Sequence, residues 1–80
     1  MSTTTAPPVV DIRQLGPCVE RKACVLAVFD PLGRGESLIV VNDHLPRGLR
    51  THFDEQRPGL FTWRELEDGP CTFRVQIERL

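Results

Sequence analysis

Cys18 is the residue of this sequence best placed for thiol chemistry. It follows Gly16-Pro17, where a helix is expected to begin, and the free N–H groups and dipole of a helix start stabilise a thiolate. Arg21 and Lys22, one turn further on, add positive potential. This pattern fits a thiol that accepts sulfane sulfur, forms a mixed disulfide or senses oxidation. The alternative is a small, half-buried residue with no chemical role.

The Asp43-His44 pair is the second candidate. It follows an aliphatic run over residues 37–41, and open α/β sheets usually place ligands at the carboxyl end of a strand. Asp43 could orient the His44 ring or share a metal ion with it. The start of the first helix is expected at the same edge, so Cys18 could join the pair. The alternative is structural: Asn42 or Asp43 caps the second helix, and His44 bonds to the backbone.

Basic residues on the second helix form a weaker candidate. Arg47 and Arg50 are expected on its exposed side, where solvation is the simpler role and gripping an acidic partner or a phosphate is the alternative. Trp63 is expected in the core or as a lid over the sheet edge. The other two cysteines, Cys24 and Cys71, are expected to be packing residues.

The elements that must position these residues can be read from apolar spacing and from the Pro and Gly positions. The pattern predicts strands over 9–13, 37–41, 60–66 and 71–77, and helices over 18–31 and 46–56. The expected fold is α+β: a two-layer α/β sandwich in the order β-α-β-α-β-β, with a four-stranded mixed sheet and two helices on one face. The last two strands should form a hairpin. Residues 1–8 are expected to be a disordered lead, and residues 9–80 a single domain.

Composition restricts the class of function. The 80 residues carry 10 Lys+Arg and 11 Asp+Glu, a formal net charge of -1, so a nucleic-acid partner is not expected. No apolar run approaches the roughly 18 residues of a membrane span, and Met1 to Pro8 lacks the pattern of a secretory signal. We therefore expect a cytoplasmic protein with reduced thiols and no membrane partner. A chain this short has no room for a large enzyme's enclosed pocket.

Several segments resemble a known family. They are 11–15, 20–21, 35–38, 41–46, 57–59 and 69–70, of which Asn42-Asp43-His44-Leu45-Pro46 is the most specific. Together they resemble domain of unknown function 2249, a relative of the TusA/SirA-like fold of small sulfur carriers. Such carriers hold a persulfide on the cysteine of a Cys-Pro pair at the start of the first helix. Here the order is Pro17-Cys18, one position displaced, and Lys22 replaces a histidine that the closer family favours.

The resemblance implies a small carrier or accessory protein rather than an enzyme. It would act in sulfur or redox metabolism through a protein partner, either a sulfur donor or an acceptor, with Cys18 as the reactive thiol. Asp43, His44, Arg21 and Lys22 are the candidate residues of the binding edge, and no cofactor is expected. One alternative is a metal- or small-ligand-binding module on His44 and Asp43. Another is a non-catalytic interaction domain.

Overall fold

The structure, a computed structural model, describes residues 7–14 and 21–80. Its elements follow the predicted order β-α-β-α-β-β, with one short 3-10 turn, Ile12–Gln14, after the first strand. The strands are β1 (Val9–Asp11), β2 (Ser37–Asn42), β3 (Phe61–Asp68) and β4 (Phe73–Arg79), and the helices are α1 (Arg21–Phe29) and α2 (Arg47–Gln56). None of the helices described is long and apolar enough to cross a membrane.

The sheet is mixed and has the strand order β1-β2-β4-β3. β1 and β2 are parallel, as a strand-helix-strand crossover requires, and β2–β4 and β4–β3 are antiparallel. β2 is paired on both edges, and the predicted hairpin of the last two strands is confirmed. Pairing with β2 begins one residue before β1, because the Pro8 carbonyl accepts a hydrogen bond of 2.8 Å from the Ile39 N–H.

One face of the sheet packs against both helices and forms the core. Strand alternation turns Leu38 and Val40 of β2 and Val75 and Ile77 of β4 to this face, and all four are buried. Both helices supply their buried residues to the same cluster: Val25 and Phe29 from α1, and Leu49 and Phe53 from α2. The predicted two-layer sandwich with both helices on one face is confirmed.

The other face of the sheet is polar along β4. Arg74, Gln76 and Glu78 alternate on it. Gln76 donates a hydrogen bond of 2.9 Å to Ser37 Oγ, and Arg74 donates one of 2.9 Å to Glu67 Oε1. β3, at the edge of the sheet, has a register shift between Glu65 and Glu67, which marks a β-bulge.

Predicted strand ends are wrong in β1, β3 and β4, and in β1 and β3 the reason is local. β1 ends at Asp11, because its carboxylate accepts hydrogen bonds from both the backbone and the guanidinium of Arg13 and bends the chain into the 3-10 turn. That turn rotates Ile12 into the core. β3 continues through the bulge to Asp68, two residues beyond its predicted end.

Cys71 does not pack, contrary to expectation. The β3–β4 turn is closed by a hydrogen bond of 2.9 Å from the Gly69 N–H to the Thr72 carbonyl, so β4 begins at Phe73 and Cys71 is exposed in the turn. Cys24, on α1, is half-buried. The expected start of the first helix at Cys18 lies outside the described residues.

Candidate functional site

The chain between β2 and α2 brings the second candidate site to the start of a helix. Pro46 occupies the N-cap position of α2, which has no side-chain cap. The predicted cap by Asn42 or Asp43 is therefore wrong, since Leu45 and Pro46 separate both side chains from the first turn. Asn42 Oδ1 instead accepts a hydrogen bond of 2.9 Å from the Asp43 N–H. The first-turn N–H groups of α2 are thus left without a side-chain acceptor in this part of the structure.

Asp43 and His44 form a surface pair. Nδ1 of His44 lies 2.8 Å from Asp43 Oδ1, and the two side chains are 69% and 66% exposed. This hydrogen bond is the main cause that lowers the pKa of Asp43, and the charge of Arg13 acts in the same direction. The bond leaves Nε2 of the imidazole free for a ligand. Within residues 7–14 and 21–80, no group of three or more His, Cys, Asp and Glu side chains could hold a metal ion.

A depression of about 320 Å³ lies between the starts of the two helices. We call it the basic groove; the side chains and backbone that matter for its chemistry are those of Arg21, Lys22, Asn42, His44, Arg47 and Gly48. Asn42 lies at its base and is only 5% exposed. Lys22 Nζ lies 3.7 Å from the point that a Cβ atom on Gly48 would occupy, so the ammonium group sits over the first turn of α2.

The cations of the basic groove have no carboxylate partners among the described residues. Arg21, Lys22 and Arg47 are exposed, and none of them forms an ion pair there. Their charges add to the positive end of the α2 dipole. Such a field attracts anionic groups and stabilises a thiolate or persulfide over its protonated form.

A second depression, of about 250 Å³, lies between α2 and the edge strand β3. We call it the tryptophan groove, because Trp63 lines it together with Arg50, Asp54 and Glu65. The Arg50 guanidinium carbon is 5.8 Å from the centroid of the Trp63 ring, a cation–π arrangement. The two grooves share Leu45, Pro46 and Arg47 and are therefore neighbours on one surface.

Residues 9–79 match the family described as "Uncharacterized conserved protein (DUF2249)". The match covers nearly the whole chain. This protein belongs to the DUF2249 family. It has no significant match among the curated proteins or among the solved structures.

In this DUF2249 domain, three of the predicted site residues line one groove: Arg21, Lys22 and His44. Asp43 stands beside them through its bond to His44. Cys18 lies outside the described residues, so its predicted place at this edge stays a prediction.

Sequence reasoning missed the contribution of Asn42 to the groove and the contact between Arg50 and Trp63. For Arg50, the available sequence signal was its i, i+3 spacing from Arg47, since this spacing puts both residues on one face of the helix. Trp63, expected in the core or as a lid over the sheet edge, is half-buried, packs against the core cluster and lines the groove beside β3.

Proposed function

We propose that this chain is a small cytoplasmic accessory protein of the sulfur-carrier type, which accepts sulfane sulfur on Cys18 and transfers it through a partner protein. The resemblance to TusA-like carriers supports the proposal, as does the β-α-β-α-β-β sandwich that such carriers share. The observation that carries it is the set of cations around the basic groove that form no ion pair with a described residue.

Cys18 is close to that groove along the chain. Three peptide units separate Cys18 from Arg21, so even a fully extended chain keeps their α-carbons within about 11 Å of each other. Arg21 and Lys22 form the first turn of α1 and line the groove. Positive charge next to a thiol lowers its pKa and so raises the thiolate population that reacts.

The proposed step is a thiol–persulfide exchange. The Cys18 thiolate attacks the outer sulfur of a persulfide on the donor protein, the donor's S–S bond breaks, and the donor leaves as a thiolate. Cys18 is then a persulfide, whose anion is stabilised by the same cations. No external oxidant or reductant is needed, because the sulfane sulfur moves with its oxidation state unchanged.

The test is mass spectrometry of the protein after incubation with a cysteine desulfurase and free cysteine. We expect a mass gain of one sulfur atom, located on the peptide that contains Cys18 and absent from Cys18→Ser. Cys71→Ser is the matched control, because Cys71 is an exposed thiol that does not line the groove. The proposal is overturned if the wild type gains no sulfur, or if Cys18→Ser and Cys71→Ser lose the mass gain equally.

A metal- or ligand-binding role for His44 is the second candidate, and one observation favours it. Histidines that bind metals usually donate their other ring N–H to a carboxylate, as His44 does to Asp43, which leaves Nε2 for the metal. Zinc titration followed by NMR of the histidine rings tests this. His52, half-buried on α2, is the internal control. A His44 signal that stays unmoved at stoichiometric zinc rejects this candidate.

A further inference from the structure

We propose that the basic groove and the tryptophan groove form one docking surface for an extended, acidic segment of a partner protein. The segment carries an apolar side chain after its carboxylates. This inference names the class of partner for the carrier function above and rests on that function. The argument uses three properties of the surface: its continuity, its charge and its one aromatic contact.

The surface is continuous across the start of α2. Leu45, Pro46 and Arg47 line both depressions, so a single chain that crosses Pro46 can occupy both. The combined volume of the two depressions is suited to a few side chains of an extended segment. A folded surface would have to project a ridge to fill them.

The charge of the surface selects an acidic partner. Arg21, Lys22, Arg47 and Arg50 all lie on it, all are exposed, and none has an ion-pair partner within the described ranges. This concentration is local, since the whole chain has a formal net charge of -1. Carboxylates of a partner can therefore pair with these cations without first displacing an internal carboxylate.

Several cations elsewhere in the molecule are engaged internally, whereas Arg34 and Arg64 are exposed and form no ion pair with a described residue. Arg13 is paired with Asp11, and Arg74 is paired with Glu67. The docking surface is thus a place where four cations lie close together without an ion pair to a described residue.

Trp63 gives the surface its apolar contact and its direction. The half-buried ring lies in the tryptophan groove near Leu45 and Pro46, where an aliphatic side chain can be covered. Asp54 and Glu65 line the same groove and repel carboxylates there. The bound segment therefore places its acidic residues over the basic groove, its apolar residue against Trp63, and a neutral or basic residue beyond.

The experiment uses the synthetic peptide EEEELLGK and the intact protein. Trp63 is the only tryptophan, so its emission reports binding directly. We expect a saturable change with EEEELLGK, weakening as ionic strength rises, and about tenfold or more loss of affinity for the charge-reversed peptide KKKKLLGK. Replacing the two leucines with glycines should also weaken binding, because the contact with Trp63 is lost.

Charge reversal in the protein provides the matched comparison. Arg47→Glu should weaken binding about tenfold or more, because it places a like charge at the centre of the surface. Arg34→Glu is the control, since Arg34 is an exposed arginine in the α1–β2 loop without an ion pair to a described residue. It should bind within about twofold of the wild type, as expected for a distant exposed charge. Arg50→Glu replaces Arg47→Glu if the latter loses its native circular dichroism spectrum.

Four outcomes overturn the inference. They are equal affinity for the acidic and basic peptides, equal loss in Arg34→Glu and Arg47→Glu, complete displacement of the peptide by inorganic phosphate at the same concentration, and tighter binding to phosphatidylserine vesicles than to the peptide. Because binding is measured without a sulfur donor, it can fail while Cys18 still accepts sulfur. The reverse result is equally possible, so the two failures are distinguishable.

Discussion

The two ends of the sandwich both carry arginines, but they use them differently. At the end where α1 and α2 stop, Arg57 donates two hydrogen bonds to the Asp30 carboxylate, at 2.9 and 2.8 Å. Arg79 of β4 donates from Nη1 to the carbonyls of Asp30 and Leu32, at 3.2 Å each, and lies 5.7 Å from the centre of the Phe29 ring. At the opposite end, Arg21, Lys22 and Arg47 face the basic groove with no described carboxylate against them.

This difference separates a structural role from a binding role for the same type of side chain. Asp30, Arg57 and Arg79 join the ends of α1, α2 and β4, and the hydrogen bond from Arg57 lowers the pKa of Asp30. The cations that line the basic groove join no elements by ion pairs among the residues described. These cations repel one another and lie near the positive end of the α2 dipole, and both effects are unfavourable. An anionic group that binds there reduces both. The predictions below test this contrast, beginning with the core that connects both ends.

Phe53→Ala is expected to have the largest effect on stability. Phe53 is fully buried in the middle of α2, and its ring centre lies 5.2 Å from those of Phe29 and Phe61. Its truncation should lower the free energy of unfolding by about 3–5 kcal/mol, measured by urea denaturation. Glu55→Ala, an exposed change on the same helix, should stay within about 0.5 kcal/mol of wild type. A small loss in Phe53→Ala would mean that the two ends are held independently of a shared core.

Arg79→Met should reduce the free energy of unfolding by about 1–3 kcal/mol, because it leaves two carbonyl groups without their donor. The aliphatic part of the side chain is kept, so the change isolates the guanidinium. Thermal unfolding measures the effect, with Arg34→Met as control. An unchanged melting temperature would show that the Arg79 guanidinium does not stabilise the fold, contrary to the structural role assigned to it.

Arg47→Glu should have the opposite sign and raise the free energy of unfolding by about 0.3–1 kcal/mol at low ionic strength. It replaces a cation with an anion in the first turn of α2, where negative charge is favoured. The gain should shrink in high salt. A clear loss of stability instead would show that Arg47 holds the fold together and that the groove end resembles the paired end.

Asp30→Asn should have the smallest effect, about 0.2–1 kcal/mol of destabilisation near neutral pH, because the pair with Arg57 is largely exposed. The pKa of Asp30 is lowered from its ordinary value of 3.8, so its contribution is present above that pH and is lost as pH falls through the lowered pKa. Wild type and variant should therefore converge in acid. A difference that persists below the pKa of folded Asp30 contradicts an ionic origin.

The sequence was sufficient to predict the elements and their layers, because apolar spacing and the Pro and Gly positions act locally. Ends of elements were less predictable where a side chain competes with the backbone. Asp11 ends β1 by bonding to Arg13, and the bulge after Glu65 lets β3 continue into the expected turn. Neither effect has a periodic signal in the sequence.

The site was predictable in part for the same reason. Arg21, Lys22 and His44 could be placed at one edge, since parallel strands and their crossover helix share it. The contact between Arg50 and Trp63 could not be predicted, because it depends on how α2 crosses β3. No strand pairing or helix spacing relates these two positions. The absence of a side-chain cap on α2 was also not predictable, because it follows from Pro46 at the N-cap position, which His44 and Leu45 separate from Asp43.

Both free edges of the sheet discourage main-chain pairing with another molecule. β1 offers only three residues, and β3 is interrupted by its bulge and carries three carboxylates near it, on Glu65, Glu67 and Asp68. A visiting protein is therefore held by side chains alone. Such a complex dissociates without breaking strand pairing, which suits the short-lived contacts that the proposed carrier function requires.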